Sequence, residues 1–115
     1  MSAEAPVVRL AIAQLVAYNA ADLDAFCACY HPDVVVLDGD GTVSARGGAA
    51  FRDRYAPMFA GGDFGATVDQ RVATGPHCVE REQYWRGVDG ERVTGEILVR
   101  YTERDGTIKT VQFLK

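Results

Sequence analysis

The sequence predicts an α+β domain in which helices pack on one mostly antiparallel sheet. Two observations carry this. The first half of the chain places apolar residues at helical spacing, interrupted by one short β-branched run. The second half is long strand-like text, punctuated by Gly75-Pro76, Asp89-Gly90 and Asp105-Gly106. Helices first and a meander second give segregated layers. At 115 residues the chain fits a single domain over 1–115.

The first helix is predicted from Pro6 to about Asn19. Pro6 suits an early helical position, and Val8, Ala11, Ile12 and Leu15 recur at helical spacing. Asp22 caps a second helix over Leu23 to Tyr30, ended by Pro32. Val34 to Asp38 is β-branched and bounded by turn residues, so it reads as a strand. Thr42 to Ala45 is a short return strand. Gly47-Gly48 opens a third helix with the stripe Phe51, Tyr55, Met58 and Phe59, which Pro57 should kink or end. Four strands follow: Phe64 to Thr74, His77 to Val88, Glu91 to Arg104 and Thr107 to Leu114. The predicted order is α-α-β-β-α-β-β-β-β.

A formal net charge of −4 and a pI near 5.0 argue against a nucleic-acid partner, which needs a basic stripe. The apolar runs are too short to cross a bilayer, and Met1 to Pro6 lacks the basic and apolar regions of a signal peptide. A cytoplasmic protein is therefore expected. Three cysteines, Cys27, Cys29 and Cys78, do not suggest a disulfide framework. On a helix Cys27 and His31 would share a face while Cys29 points away, so too few ligands converge for a metal. Asp38, Asp40, Thr42 and Ser44 imitate a calcium loop, but Ala49 stands where its bidentate Glu belongs. Neither serine sits on a nucleophile elbow, and no glycine pair leads into a phosphate-binding Lys. No metal and no cofactor are expected.

Asp38 ends the apolar run Val34-Val35-Val36-Leu37. A carboxylate there is solvated, paired or kept partly neutral; it is either a turn residue bonding backbone amides or a candidate base. Tyr84 and Trp85 are neighbours on one strand and must face opposite sides. Glu80, Arg81, Glu82, Glu96 and Arg100 read as cross-strand charge pairs on a wet or interfacial face.

Three segments together carry a family resemblance: Tyr18-Asn19-Ala20-Ala21-Asp22-Leu23-Asp24-Ala25-Phe26, Tyr30-His31-Pro32-Asp33-Val34, and Arg46-Gly47-x-x-Ala50-Phe51-Arg52-x-x-Tyr55-Ala56. The chain resembles the nuclear transport factor 2-like superfamily, in its SnoaL-like and ketosteroid isomerase-like branch. The resemblance implies a cystatin-like cone, a curved sheet whose concave face is closed by the helices around an apolar pocket. It also implies a homodimer through the outer sheet face. Asp38 falls at the position of the carboxylate base, and Tyr55 where a tyrosine supports the oxyanion donor. Tyr30 falls where some members carry a further tyrosine. The oxyanion tyrosine position holds Gln14, and the oxyanion acid position falls on Ile97 or Leu98, which cannot donate.

The expectation is a small-molecule binder or a cofactor-independent enzyme for proton transfer next to a carbonyl. Asp38 would be the base, with Gln14 and Tyr55 as donors. Tyr18, Tyr30, Phe51 and Phe59 from the helical side, and Trp85, Ile97 and Tyr101 from the sheet, would line the site of a small apolar ligand. The alternative is a non-catalytic dimerisation module whose cavity is filled by its own aromatics.

Overall fold

The computed structural model describes residues 4–114. Nine elements follow in the order α1 (Pro6–Asn19), α2 (Leu23–Ala28), β1 (Tyr30–Leu37), β2 (Val43–Arg46), α3 (Gly48–Gly61), β3 (Phe64–Thr74), β4 (His77–Val88), β5 (Glu91–Arg104) and β6 (Thr107–Leu114). The six strands form one sheet in the order β2-β1-β6-β5-β4-β3. Only β1 and β6 run parallel; every other pair is antiparallel. The predicted α+β class and element order therefore hold, and three helices cover one face of a curved sheet.

The hairpin signals act as their chemistry requires. Asp89-Gly90 and Asp105-Gly106 all take positive φ, which matches the right-handed twist of the flanking strands in a two-residue loop. Asp22 caps α2 by accepting from the Ala25 amide at 3.1 Å.

Three local expectations are corrected. Helix α2 stops at Ala28, and Tyr30 already begins β1, so Tyr30, His31 and Pro32 are strand residues. Pro32 sits where the β1–β6 pairing is irregular, between Tyr30 and Val35, and there its missing N–H interrupts no ladder bond. Helix α3 runs on through Pro57. The buried face of α1 is Val7, Ala11, Gln14 and Ala17, leaving Ile12 and Val16 in solvent. Small Ala11 and Ala17 let the helix approach the sheet closely, and this orientation delivers Gln14 to the interior.

Phe26 is the hub of the helical layer. Its ring centroid lies 5.0–5.9 Å from those of Tyr18, Tyr30, Phe51, Tyr55 and Phe59. Offset and edge contacts of this kind add to the burial of large apolar rings. From the sheet, Val34 and Val36 of β1, Val99 of β5, and Ile108 and Val111 of β6 complete the core.

A tyrosine-lined cavity as the candidate functional site

Between the helices and the concave sheet face lies a cavity of about 730 Å³. Alternation on β4 decides what enters it. Cys78, Glu80, Glu82, Tyr84 and Arg86 face inward, while Val79, Arg81, Gln83 and Trp85 face outward. On β5 the inward set opposite them is Tyr101, Val99, Ile97 and Gly95.

The deep end is a directed hydrogen-bond chain. Gln14 on α1 is 4% exposed, and its Nε2 donates to the Ala11 carbonyl at 3.0 Å. A carbonyl only accepts, so this contact fixes which end of the amide is nitrogen. The other Nε2 hydrogen then goes to the Tyr101 hydroxyl at 3.1 Å. Gln14 Oε1 accepts from the Tyr30 hydroxyl at 3.0 Å. The proton of Tyr101 is left over, and Tyr101 lines the cavity. Tyr30 and Gln14 thus polarise a donor aimed at whatever occupies the space.

Burial pushes the pKa values of the cavity tyrosines upward and makes their hydroxyls weaker acids. Tyr18 and Tyr55 rise to about 12, and Tyr30 and Tyr101 stand well above the usual phenol range. All four keep their protons near neutral pH. Tyr55 also lines the cavity, and among the described residues the Tyr18 hydroxyl meets the Met58 sulfur at 4.0 Å.

Glu82 is the carboxyl group that β4 contributes to the cavity wall. It makes no side-chain hydrogen bond or ion pair among the described residues. Its pKa is pushed up to about 7, first by burial and then by the charge of Glu80, against a smaller opposing effect of Arg86. Its charge acts on Tyr18, Tyr30, Tyr55 and Tyr101. Glu80, two residues earlier on the same face, is 0% exposed and bonded through Oε2 to Arg71 Nε at 2.7 Å.

The candidate residues predicted from sequence divide accordingly. Gln14, Tyr18, Tyr30, Tyr55, Ile97 and Tyr101 are brought together around the cavity. Phe51 and Phe59 lie behind that lining, in the core, 1% and 6% exposed. Trp85 is corrected to the outer face, under Arg92 at 3.8 Å, and Tyr84 takes the inward place. Gln14 is corrected as a donor to ligand, because both its amide hydrogens are engaged. Asp38 is corrected as a desolvated carboxylate: it borders the mouth of the cavity but is exposed. The strand ends one residue earlier, and the turn holds Asp38 through its backbone, N–H to Thr42 O at 2.8 Å and C=O from Gly41 N at 2.9 Å. Glu82 lines the cavity although the sequence pattern placed it among cross-strand charge pairs. Its signal was parity with Tyr84 on β4, which the sequence left ambiguous as to face.

A helix-covered curved sheet around such a cavity defines a nuclear transport factor 2-like protein of the cystatin fold. Within that class the chain belongs to the SnoaL-like domain family, whose model matches residues 11–111. Solved structures agree in fold. An uncharacterised cystatin-fold protein from Novosphingobium aromaticivorans is 23% identical, with a TM-score of 0.84 over 98% of this chain and 100% of that one. A Mycobacterium tuberculosis protein solved with estradiol-17β-hemisuccinate is 14% identical, with a TM-score of 0.85 over 97% of this chain and 95% of that one. An epoxide hydrolase from the same organism is 20% identical, with a TM-score of 0.80 over 94% of this chain and 80% of that one. No curated protein sequence matches the chain. No helix among the described residues is long and apolar enough to cross a membrane.

Proposed function

We propose that the cavity binds a small, predominantly apolar molecule bearing a carbonyl, and that the chain catalyses isomerase-type proton transfer next to that carbonyl. The carrying observation is that one cavity is lined both by Glu82, half-buried and without a side-chain partner among the described residues, and by Tyr101, whose hydroxyl accepts from Gln14 and keeps its proton uncommitted. Glu82, ionised, takes a proton from the carbon beside the carbonyl. Tyr101 donates a hydrogen bond to the carbonyl oxygen as negative charge develops there. The protonated Glu82 then returns the proton to another carbon of the enolate, so the step is balanced without a cofactor. A carboxyl group titrating near neutral pH serves both halves well. Asp38, the base expected from the family resemblance, is left as a polar residue of the mouth.

Relatives in fold support such an occupant. One is solved with estradiol-17β-hemisuccinate, and another is a designed 17-OHP binder. A cavity of about 730 Å³ falls within the ordinary range of ligand sites and counts against a self-filled dimerisation module. We read the outer sheet face, where Val72 and Leu98 are exposed, as the homodimer surface, and the protein as cytoplasmic.

Deuterium wash-in from heavy water into a β,γ-unsaturated ketone tests the chemistry. Exchange is expected with the wild type and with Asp38→Asn, and is expected to fall at least a hundredfold, an order-of-magnitude figure, with Glu82→Gln. Exchange lost with Asp38→Asn but kept with Glu82→Gln would return the base to the first strand. A ketone bound without exchange would leave a binding protein.

A further inference from the structure

We propose that the natural ligand is an elongated apolar molecule carrying one acidic group, and that Arg86 holds this acid at the cavity mouth. The inference rests on the cavity being a small-molecule site and adds the chemical class of its occupant.

Two guanidinium groups border the opening, and they are not equivalent. Arg54 of α3 lies over the Phe113 ring at 5.6 Å and donates to Ser44 Oγ at 3.4 Å. Phe113 is on β6, the neighbour of β1, so Arg54 shares its part of the rim with Asp38 and Asp40 of the turn after β1. Its charge meets opposing charge there. Arg86 is on β4, three strand spacings from β1, which is about 14 Å. Its guanidinium lies over the Tyr84 ring at 5.3 Å. Among the described residues it takes part in no ion pair. Stacking on a ring leaves the N–H edges of the fork available, the geometry that receives a carboxylate bidentately. The carboxyl group on the same strand face, Glu82, is four residues away, about 13 Å of contour; it feels the charge of Arg86 but forms no ion pair with it, and is only partly ionised near neutral pH.

The shape of the ligand follows from the register. Arg86 pairs with Val93 on β5, and Tyr101 lies eight residues further along that strand. That is about 27 Å of strand contour, shortened by sheet curvature and by the reach of both side chains. Between them the wall is Tyr84 and Ile97 with Glu82 among them, and Val111 stands beside Tyr101 at the deep end. A molecule that uses both ends is long and apolar in the middle, with a carbonyl at Tyr101 and an acid at Arg86.

The matched fluorescent probes pyrenebutyrate and pyrenebutanol test this on the intact protein. Pyrenebutyrate is expected to bind about tenfold more tightly, the weight of one charge-assisted contact. Arg86→Gln is expected to bring the two affinities together, and Arg54→Gln to leave most of the preference in place. Added salt should weaken pyrenebutyrate selectively. Equal affinities in the wild type, or a preference that survives Arg86→Gln, overturn the acid recognition while the cavity site stands. If neither probe binds, or if a cavity-filling Ile97→Trp that retains its folded spectrum binds both as before, the cavity site itself is wrong and the inference falls with it.

Discussion

Glu80 and Glu82 stand two residues apart on the inner face of β4, yet Arg71 partners only Glu80. The pairing of Arg71 with Glu80 across β3 and β4 offsets part of what burial does to that carboxyl group. Glu82 has no bonded partner among the described residues; its neighbour's charge adds to its burial, and Arg86 opposes the two only weakly. The consequence for stability has a definite sign. The pKa of Glu82 is about 7 in the fold against 4.5 for an ordinary Glu. Between these values the folded chain holds a proton that the unfolded chain releases. Stability therefore falls as pH rises from 4.5 to about 7, by at most about 3 kcal/mol, and stays at the lower level above. Glu82→Gln should flatten this slope and raise the unfolding midpoint at pH 8 by roughly 1–3 kcal/mol equivalent, with little change near pH 4.5. Urea titrations at a series of pH values read both effects. An unchanged slope in the variant would remove Glu82 as the titrating group.

Tyr101→Phe separates the donor from the packing. The ring remains, but the cavity loses its directed proton and one Gln14 amide hydrogen loses its acceptor. Ligand binding or turnover should fall on the order of ten- to a thousandfold. Stability should fall by only about 1–2 kcal/mol. Gln14→Leu should be worse for folding, because it strands the Tyr30 and Tyr101 hydroxyls in the interior together. Comparing denaturant midpoints with probe affinities in the two variants distinguishes the roles.

Asn19 closes the end of α1 onto β3. Its side-chain amide donates to the Ala66 carbonyl at 2.9 Å and accepts from the Ala66 amide at 2.8 Å, as a strand neighbour would. No backbone strand covers that edge of β3 at Ala66. Asn19→Ala should cost about 1–3 kcal/mol by freeing both backbone groups. Hydrogen exchange at the Ala66 amide should accelerate at least as much as the global loss of stability predicts. Exchange that stays slow in the variant would show another partner taking over.

How legible this molecule is in its sequence depends on the kind of pattern. The strands β3 to β6 were readable to the residue, because Asp-Gly and Gly-Pro turns fix their ends chemically. Helix α1 was placed correctly but turned by one position. Apolar residues occur on several of its faces, from Val7 and Val8 to Leu15 and Val16, so period alone does not choose the buried one. The polar Gln14 belongs to the true inner face and disguised it. Tyr30 was read as helical because Pro32 looked like a helix stop, whereas here proline sits in an irregular strand. At the site, the sequence pointed to Gln14, Tyr30, Tyr55 and Tyr101 of the cavity lining, but it singled out Asp38 and passed over Glu82, the carboxyl group the proposed function uses. Asp38 stood out by ending an apolar run. Glu82 was hidden within alternating charges, where alternation distinguishes two faces without saying which one is wet.

Gly95 offers the sharpest test of the cavity wall. It lies opposite Tyr84 on β5, and a Cβ added there would stand 2.3 Å from the Tyr84 hydroxyl oxygen and 2.4 Å from the adjoining ring carbon. No side chain tolerates that approach, so Gly95→Ala must displace the phenol. The backbone resists movement because Gly95 is held in the β4–β5 ladder opposite Tyr84, within a register unbroken from Glu91 to Thr102. The phenol itself borders open space, so it should swing into the cavity. The cost to folding should stay near 1–2 kcal/mol, because a side chain moves into a void instead of into packed core. The loss of ligand affinity should be larger, at least about tenfold for a probe that fills the cavity. It should also disturb Arg86, whose guanidinium lies over the displaced ring. Gly95→Ala combined with Tyr84→Ala should recover binding, because the clash requires both side chains. A double variant that still fails to bind would place the obstruction elsewhere than at the Tyr84 wall.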